Sequence, residues 1–117
     1  MEIGGKGLAE VNLTIPQATS LTFDVVHKDE DGNVVDHSAS TLHMAIQTKD
    51  GSETYQLDGC ASATAERIRV SIPANSTEAL PLGKMVWDLI AETTAGETLR
   101  LCYGAATVVD TYALDSE

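Results

Sequence analysis

The sequence predicts an all-β fold, a sandwich of two antiparallel sheets, and three observations predict it. Apolar residues recur at every second position along most of the chain, the period of a strand with one packed face and one wet face. Turn-forming residues interrupt these runs at short intervals, and only one stretch carries helix formers, so the βαβ alternation of a parallel sheet is missing. The 117 residues, 43% hydrophobic and 21% charged, suffice for one core and have the balance of an ordinary folded domain.

Taken in order, Val11, Leu13 and Ile15 alternate with Asn12 and Thr14, and Pro16 removes a ladder donor and closes a first strand. Leu21, Phe23 and Val25 alternate with Thr22 and Asp24 in a second strand, which runs into the turn Asp29-Glu30-Asp31-Gly32-Asn33. After a polar stretch through His37-Ser38-Ala39-Ser40, Leu42, Met44 and Ile46 define a third strand. Asp50-Gly51 is a hairpin signal, and Thr54-Tyr55-Gln56-Leu57 is the return strand it implies. Asp58 to Ala65 is small and polar and reads as a loop. Ile68, Val70 and Ile72 form another strand, ended by Pro73.

Asn75 to Leu80 combines capping residues with helix formers, and Pro81 limits it to a short helical crossover. Met85, Trp87 and Leu89 place the only tryptophan on an inward, core position. Ala95-Gly96 turns the chain into a last strand, in which Leu99, Leu101 and Tyr103 alternate and which runs to Val109. About seven strands and one helical crossover select an immunoglobulin-like sandwich. The order Cys60, Trp87, Cys102 is not the antibody pattern, because Trp87 lies much too near the second cysteine. A single domain is expected over residues 1–117, with its core at about 9–110 and flexible N-terminal residues and C-terminal tail.

Seven Lys and Arg against 18 Asp and Glu give a net charge of −11, which repels phosphate backbones and anionic lipid. Neither nucleic acid nor membrane is expected among the partners. No apolar run approaches the ~20 residues of a membrane helix, and Met1 to Glu10 lacks the apolar centre of a signal peptide, so a soluble chain is expected. Cys60 and Cys102 are too few for a disulfide scaffold and too far apart for a Cys-x-x-Cys site. Two reduced, partly buried thiols are the expectation, with pairing of the two as the alternative.

Three segments carry a resemblance: VNLTIPQATSLTFDVVHKDEDGNVVD, MAIQTKDGS and IRVSIPANSTEALPLGKMVWDLIAETTAGETLRLCYGAATVV. Together they resemble small phage and prophage virion proteins, close in pattern to the N-terminal immunoglobulin-like domain of siphophage baseplate upper proteins. The strongest part is Ile72-Pro73-Ala74, then Thr77-Glu78-Ala79-Leu80-Pro81 and Gly83, followed by Val86-Trp87-Asp88-Leu89. Leu99-Arg100-Leu101, Gly104 and Val108 also fit. The resemblance spans about residues 11–110 and rests on turn and core residues. It implies a structural protein without catalytic residues, made in the host bacterial cytoplasm and then built into the virion. Baseplate upper proteins continue into a helical stalk that this sequence lacks, so a stand-alone head, neck or tail accessory protein is expected.

Candidate chemistry is sparse. Asp29, Asp31 and Asn33, with Asp36 nearby, have the oxygen-rich spacing with which a calcium loop begins. Gly32 falls one residue too early for that motif, and a solvated turn is the plainer reading. His27, His37 and His43 have no metal-ligand spacing and read as surface histidines. No Gly-x-Ser-x-Gly elbow is present, Gly4-Gly5-Lys6-Gly7 lacks the spacing of a phosphate loop, and Glu30 and Asp31 sit in an exposed turn where both stay ionised. No catalytic residue, cofactor or enzymatic activity is therefore expected.

Arg67 and Arg69 share an outward strand face, with Arg100 on another. They suit either docking of an acidic partner or cross-strand pairing with Glu53, Asp88 or Glu92. Val26, Val86 and Ile90 are apolar at outward positions and are candidates for contact surface. The expected function is thus a structural or assembly protein of a phage tail, baseplate or neck. It would act through contacts with other virion proteins and with itself. The alternative is a bacterial immunoglobulin-like module that binds a small ligand or carbohydrate, with calcium assistance.

Overall fold

The computed structural model describes residues 2–4 and 9–111. Among the described residues, ten strands form two stacked sheets: β1 (Glu2–Gly4), β2 (Ala9–Glu10), β3 (Leu13–Pro16), β4 (Leu21–Lys28), β5 (Thr41–Thr48), β6 (Thr54–Gln56), β7 (Ala61–Ala63), β8 (Ile68–Ile72), β9 (Gly83–Glu92) and β10 (Thr98–Val109). The smaller sheet has the order β1-β4-β8-β7, and the larger one the order β2-β10-β9-β5-β6, with β3 also paired to β10. First, second, fifth and fourth strands against third, sixth and seventh is the immunoglobulin-like arrangement, once the edge segments β2, β3 and β6 are set aside. The predicted sandwich is therefore the fold of this chain.

Three short strands escaped the sequence pattern. β7 lies inside the stretch read as a loop, after a 3-10 turn at Asp58–Cys60, and pairs with β8. Its Ala-Ser-Ala composition carries no alternation, and pairing along the exposed edge of β8 fixes it. β1 lies parallel to β4, and β2 and β3 run parallel to β10, so the N-terminal segment departs from the antiparallel rule. Glu2–Gly4 is thus held in a sheet, contrary to the expectation of loose N-terminal residues. Gly5, Lys6 and Gly7 of the glycine-rich segment lie outside the described residues, as does most of the expected tail, 112–117. Thr111, expected in that tail, is tied down by donating its hydroxyl to the Gln17 carbonyl at 2.7 Å.

The two inner faces meet in a dry core. Val25, Ile68, Val70 and Ile72 of the smaller sheet face Met44, Ile46, Trp87 and Leu89 of the larger one, all nearly inaccessible to water. Trp87 meets Phe23 edge to face at 5.9 Å between ring centres, the favoured arrangement of two aromatic quadrupoles. Its indole N–H donates to the Val11 carbonyl at 2.8 Å. The predicted crossover is α1 (Ala74–Glu78), sealed by Leu80 and by Thr77, whose hydroxyl donates to the Thr19 carbonyl at 2.6 Å.

One irregularity resets a face. Between Arg100 and Cys102 the register of β10 against β9 shifts, and both Leu101 and Cys102 point into the core. A β-bulge of this kind adds one residue and inverts the alternation beyond it. Tyr103, expected to share the face of Leu99 and Leu101, is carried to the outer face, where Arg100 lies over its ring at 4.6 Å from the centroid.

Candidate functional site

The outer face of the larger sheet is the most developed surface among the described residues. Ladder register sets its rows: Ala45, Asp88 and Tyr103 lie side by side, as do Gln47, Val86 and Ala105, and His43, Ile90 and Arg100. Small residues Ala45, Gly104 and Ala105 make the floor of a trough of about 450 Å³, with Lys49, Lys84 and Glu10 at its rim. Asp88 and Arg100 form a cross-strand ion pair at 3.4 Å, one of the pairings expected from sequence.

At one end of this face His43 is clasped on both ring nitrogens. Nδ1 is 2.9 Å from an Asp58 carboxylate oxygen, and Nε2 contacts the Glu92 carboxylate. Hydrogen bonds to Asp58 and then to Glu92 raise the His43 pKa above its ordinary value, while His43 in turn holds the Asp58 carboxyl below its own. The cluster joins β5, β9 and the 3-10 turn. Asp58 further accepts from the Met44 amide at 3.0 Å, so it closes the loop back onto β5.

The contact candidates do not share one surface. Val86 and Ile90 are half-buried on this outer face. Val26 is half-buried on the opposite side of the molecule, at the position in β4 that pairs with Glu2 of β1. Arg67 and Arg69 lie on that opposite face too, and there they share Asp24 rather than Glu53 or Glu92: Arg69 Nε donates to it at 2.8 Å and Arg67 at 3.3 Å. The Arg69 hydrogen bond holds the Asp24 carboxyl below its ordinary pKa.

Two of the three histidines are buried, a correction to the surface reading. His27 and His37 are 3% and 2% exposed, stack at 5.1 Å between ring centres and share a hydrogen bond of 2.8 Å from Nδ1 of His27 to Nε2 of His37. His37 Nδ1 is 3.1 Å from the Ser40 hydroxyl. The direction of donation along His27, His37 and Ser40 follows the ring tautomers, and the Ser40 hydroxyl can complete either order. Burial, and next the neighbouring His27, push the His37 pKa below its usual value. His27 shares inward parity with Phe23 and Val25, a signal that was legible. The placement of His37 by its loop was not.

The calcium candidates form a turn of their own. One Asp29 carboxylate oxygen accepts the amides of Asp31 and Asn33, each at 2.9 Å, and Gly32 takes the positive φ of 85° that the turn needs. Asp36 accepts the Ser38 amide in the same manner. No group of three or more His, Cys, Asp or Glu placed to hold a metal ion occurs among the described residues. Cys60 and Cys102 are free thiols, and burial raises the Cys60 pKa and pushes Cys102 up to about 11. No helix among the described residues is long and apolar enough to cross a membrane.

No family model and no curated protein matches this chain.

Proposed function

We propose that this chain is a non-enzymatic structural protein of a phage or prophage particle, of its tail, baseplate or neck, acting through protein–protein contact. The observation that carries the contact role is the outer face of β10, β9 and β5, where a floor of small and aliphatic residues lies between charged rims. Such a surface suits a partner that covers the apolar centre while the rim charges set its orientation. The setting rests on the resemblance of residues 11–110 to virion proteins, and the sandwich is the fold that resemblance implies.

Its test is direct. Particles released by a bacterium carrying the gene are banded on a density gradient and digested for peptide mass analysis. Peptides of this chain that co-band with capsid protein support the reading. Their absence from particles, while the chain is present in the producing cells, overturns it.

The trough favours a second reading. Its volume of about 450 Å³ falls within the range of small-ligand pockets, and Tyr103, with Arg100 over its ring, lines it. Saturable binding of a mono- or disaccharide by calorimetry, lost in Tyr103→Ala, would favour the ligand module over the particle protein.

A further inference from the structure

We propose that two copies of this chain pack outer face against outer face through β10, β9 and β5, about a two-fold axis that crosses β9 at Asp88. This names a partner for the contacts proposed above and rests on that reading.

The argument starts from β9. Its outward residues, in order, are Lys84, Val86, Asp88, Ile90 and Glu92. The series is palindromic in chemistry: a cation and an anion at the ends, an aliphatic residue inside each, and Asp88 at the centre. A two-fold axis in the plane of the face and perpendicular to the strands reverses the strand direction in the second copy. Lys84 then meets Glu92 of the other copy, and Val86 meets its Ile90, each contact occurring twice, as in an isologous interface. A two-fold axis along the strands would instead set like charges at the same level, cation end to cation end. The charge order along β9 thus selects one of the two face-to-face packings.

The centre tolerates the approach. Asp88 is already paired with Arg100, so the groups that meet at the axis are two neutral pairs, free to form an alternating cluster of two carboxylates and two guanidiniums. The same operation lays Arg100 of one copy over Ala105 of the other, because these residues lie one level to either side of Asp88 in the β9–β10 ladder. Arg100 therefore faces a small residue, while Ala45 and Tyr103, which share the level of Asp88, each meet their own copy across the axis. Lys84 and Glu92 are both exposed. With strands ~4.8 Å apart and ~3.3 Å per residue, the face measures on the order of 20 by 26 Å, roughly 500 Å² per copy, which places the dimer among small, reversible interfaces rather than obligate ones. The outer face of the smaller sheet offers no comparable apolar centre, since Thr22, Ser71, Asp24, Arg67 and Arg69 occupy it.

The test is light scattering coupled to size exclusion over a hundredfold range of concentration. Salt is held at 0.15 M, where a Debye length of about 8 Å screens the −11 of each copy but not contact pairs. The wild-type mass is expected to rise from 12.4 kDa to twice that value. Lys84→Glu and Glu92→Lys each set like charges in contact and are expected to weaken the dimer about tenfold or more. The double variant K84E/E92K restores opposite charges at both contacts and is expected to return to within about threefold of wild type.

Circular dichroism checks that each variant keeps its sheets. A wild type that stays monomeric, a larger oligomer, a dimer indifferent to both single changes, or a double variant as weak as the singles would overturn the two-fold packing. None of these outcomes bears on whether the chain co-bands with particles, so the dimer and the particle role fail separately.

Discussion

Replacing Gly104 by alanine is predicted to be among the most damaging single-methyl additions in this protein. Gly104 holds a φ of 159°, a backbone conformation that L side chains rarely adopt, so the demand is conformational as well as steric. A Cβ built there lies 2.0 Å from the Val11 carbonyl oxygen and 2.7 Å from its carbon. Restoring ordinary contact moves the Val11–Asn12 backbone by roughly 1.4 Å, from 2.0 Å to 3.4 Å. That segment is pinned by three hydrogen bonds: Val11 N–H to the Tyr103 carbonyl at 2.7 Å, Ala105 N–H to the Asn12 side chain at 3.0 Å, and the Trp87 indole to the Val11 carbonyl at 2.8 Å.

Two of these are worth about 1 kcal/mol each, and a buried indole N–H left without an acceptor costs about 1–3 kcal/mol. The sum is about 3–5 kcal/mol, a large share of the ~5–15 kcal/mol that holds a domain together. In urea, with an m-value of about 1.5 kcal/mol/M, the midpoint followed by Trp87 fluorescence should fall by about 2–3 M. Gly59→Ala, where nothing lies within 4 Å of the added carbon, should stay within about 0.5 kcal/mol of wild type. A Gly104→Ala protein that unfolds within about 1 kcal/mol of wild type would refute the reasoning.

Two histidines should give the stability opposite slopes in pH. His43, with its pKa raised by Asp58 and Glu92, contributes fully below its unfolded value of about 6.5, and the contribution is lost as pH rises through the folded pKa. His37, with its pKa depressed, favours the folded state above about 6.5 and releases that stability as pH falls through the folded value. Urea midpoints between pH 5 and 8 should therefore lose their alkaline decline in His43→Gln and their acid decline in His37→Gln, and unchanged profiles would contradict both assignments. A thiol reagent on the native protein should modify Cys60 well before Cys102, whose thiol is fully buried with a pKa of about 11; equal rates would show that the core around β10 opens. Millimolar calcium should leave the melting temperature unchanged, because the Asp29 carboxylate is already engaged by two amides, and a rise of several degrees would argue for a calcium site.

Much of the fold was legible because its long strands are half-buried and alternate. β4, β5, β8 and β9 could be read from period two, the β5–β6 hairpin from Asp50-Gly51, and the crossover from Asn75 to Pro81. Trp87 could be placed in the core by parity alone. The surface was harder to read. The outward face of Arg67 and Arg69 follows from strand parity, but their partner, Asp24, is set by the β4–β8 register, Asp24 lying opposite Arg69. Val26, Val86 and Ile90 looked alike in sequence and stand on opposite sides of the sandwich.

By itself, the sequence determined which apolar residues of the regular strands leave water, though not the burial of His37 or the outward turn of Tyr103. Inward and outward positions follow from local alternation, and burial of the apolar set is the main force that makes a sandwich of it. Only the tertiary structure decided which outward residues become neighbours. A single bulge at Leu101–Cys102 turns Tyr103 outward under Arg100. The β5–β9 register puts His43 beside Glu92, 49 residues away, and the path of residues 29–40 brings His37 onto His27. These juxtapositions depend on register and loop path, which are settled by the sum of many contacts across the chain and leave no periodic trace in the sequence around any one of them.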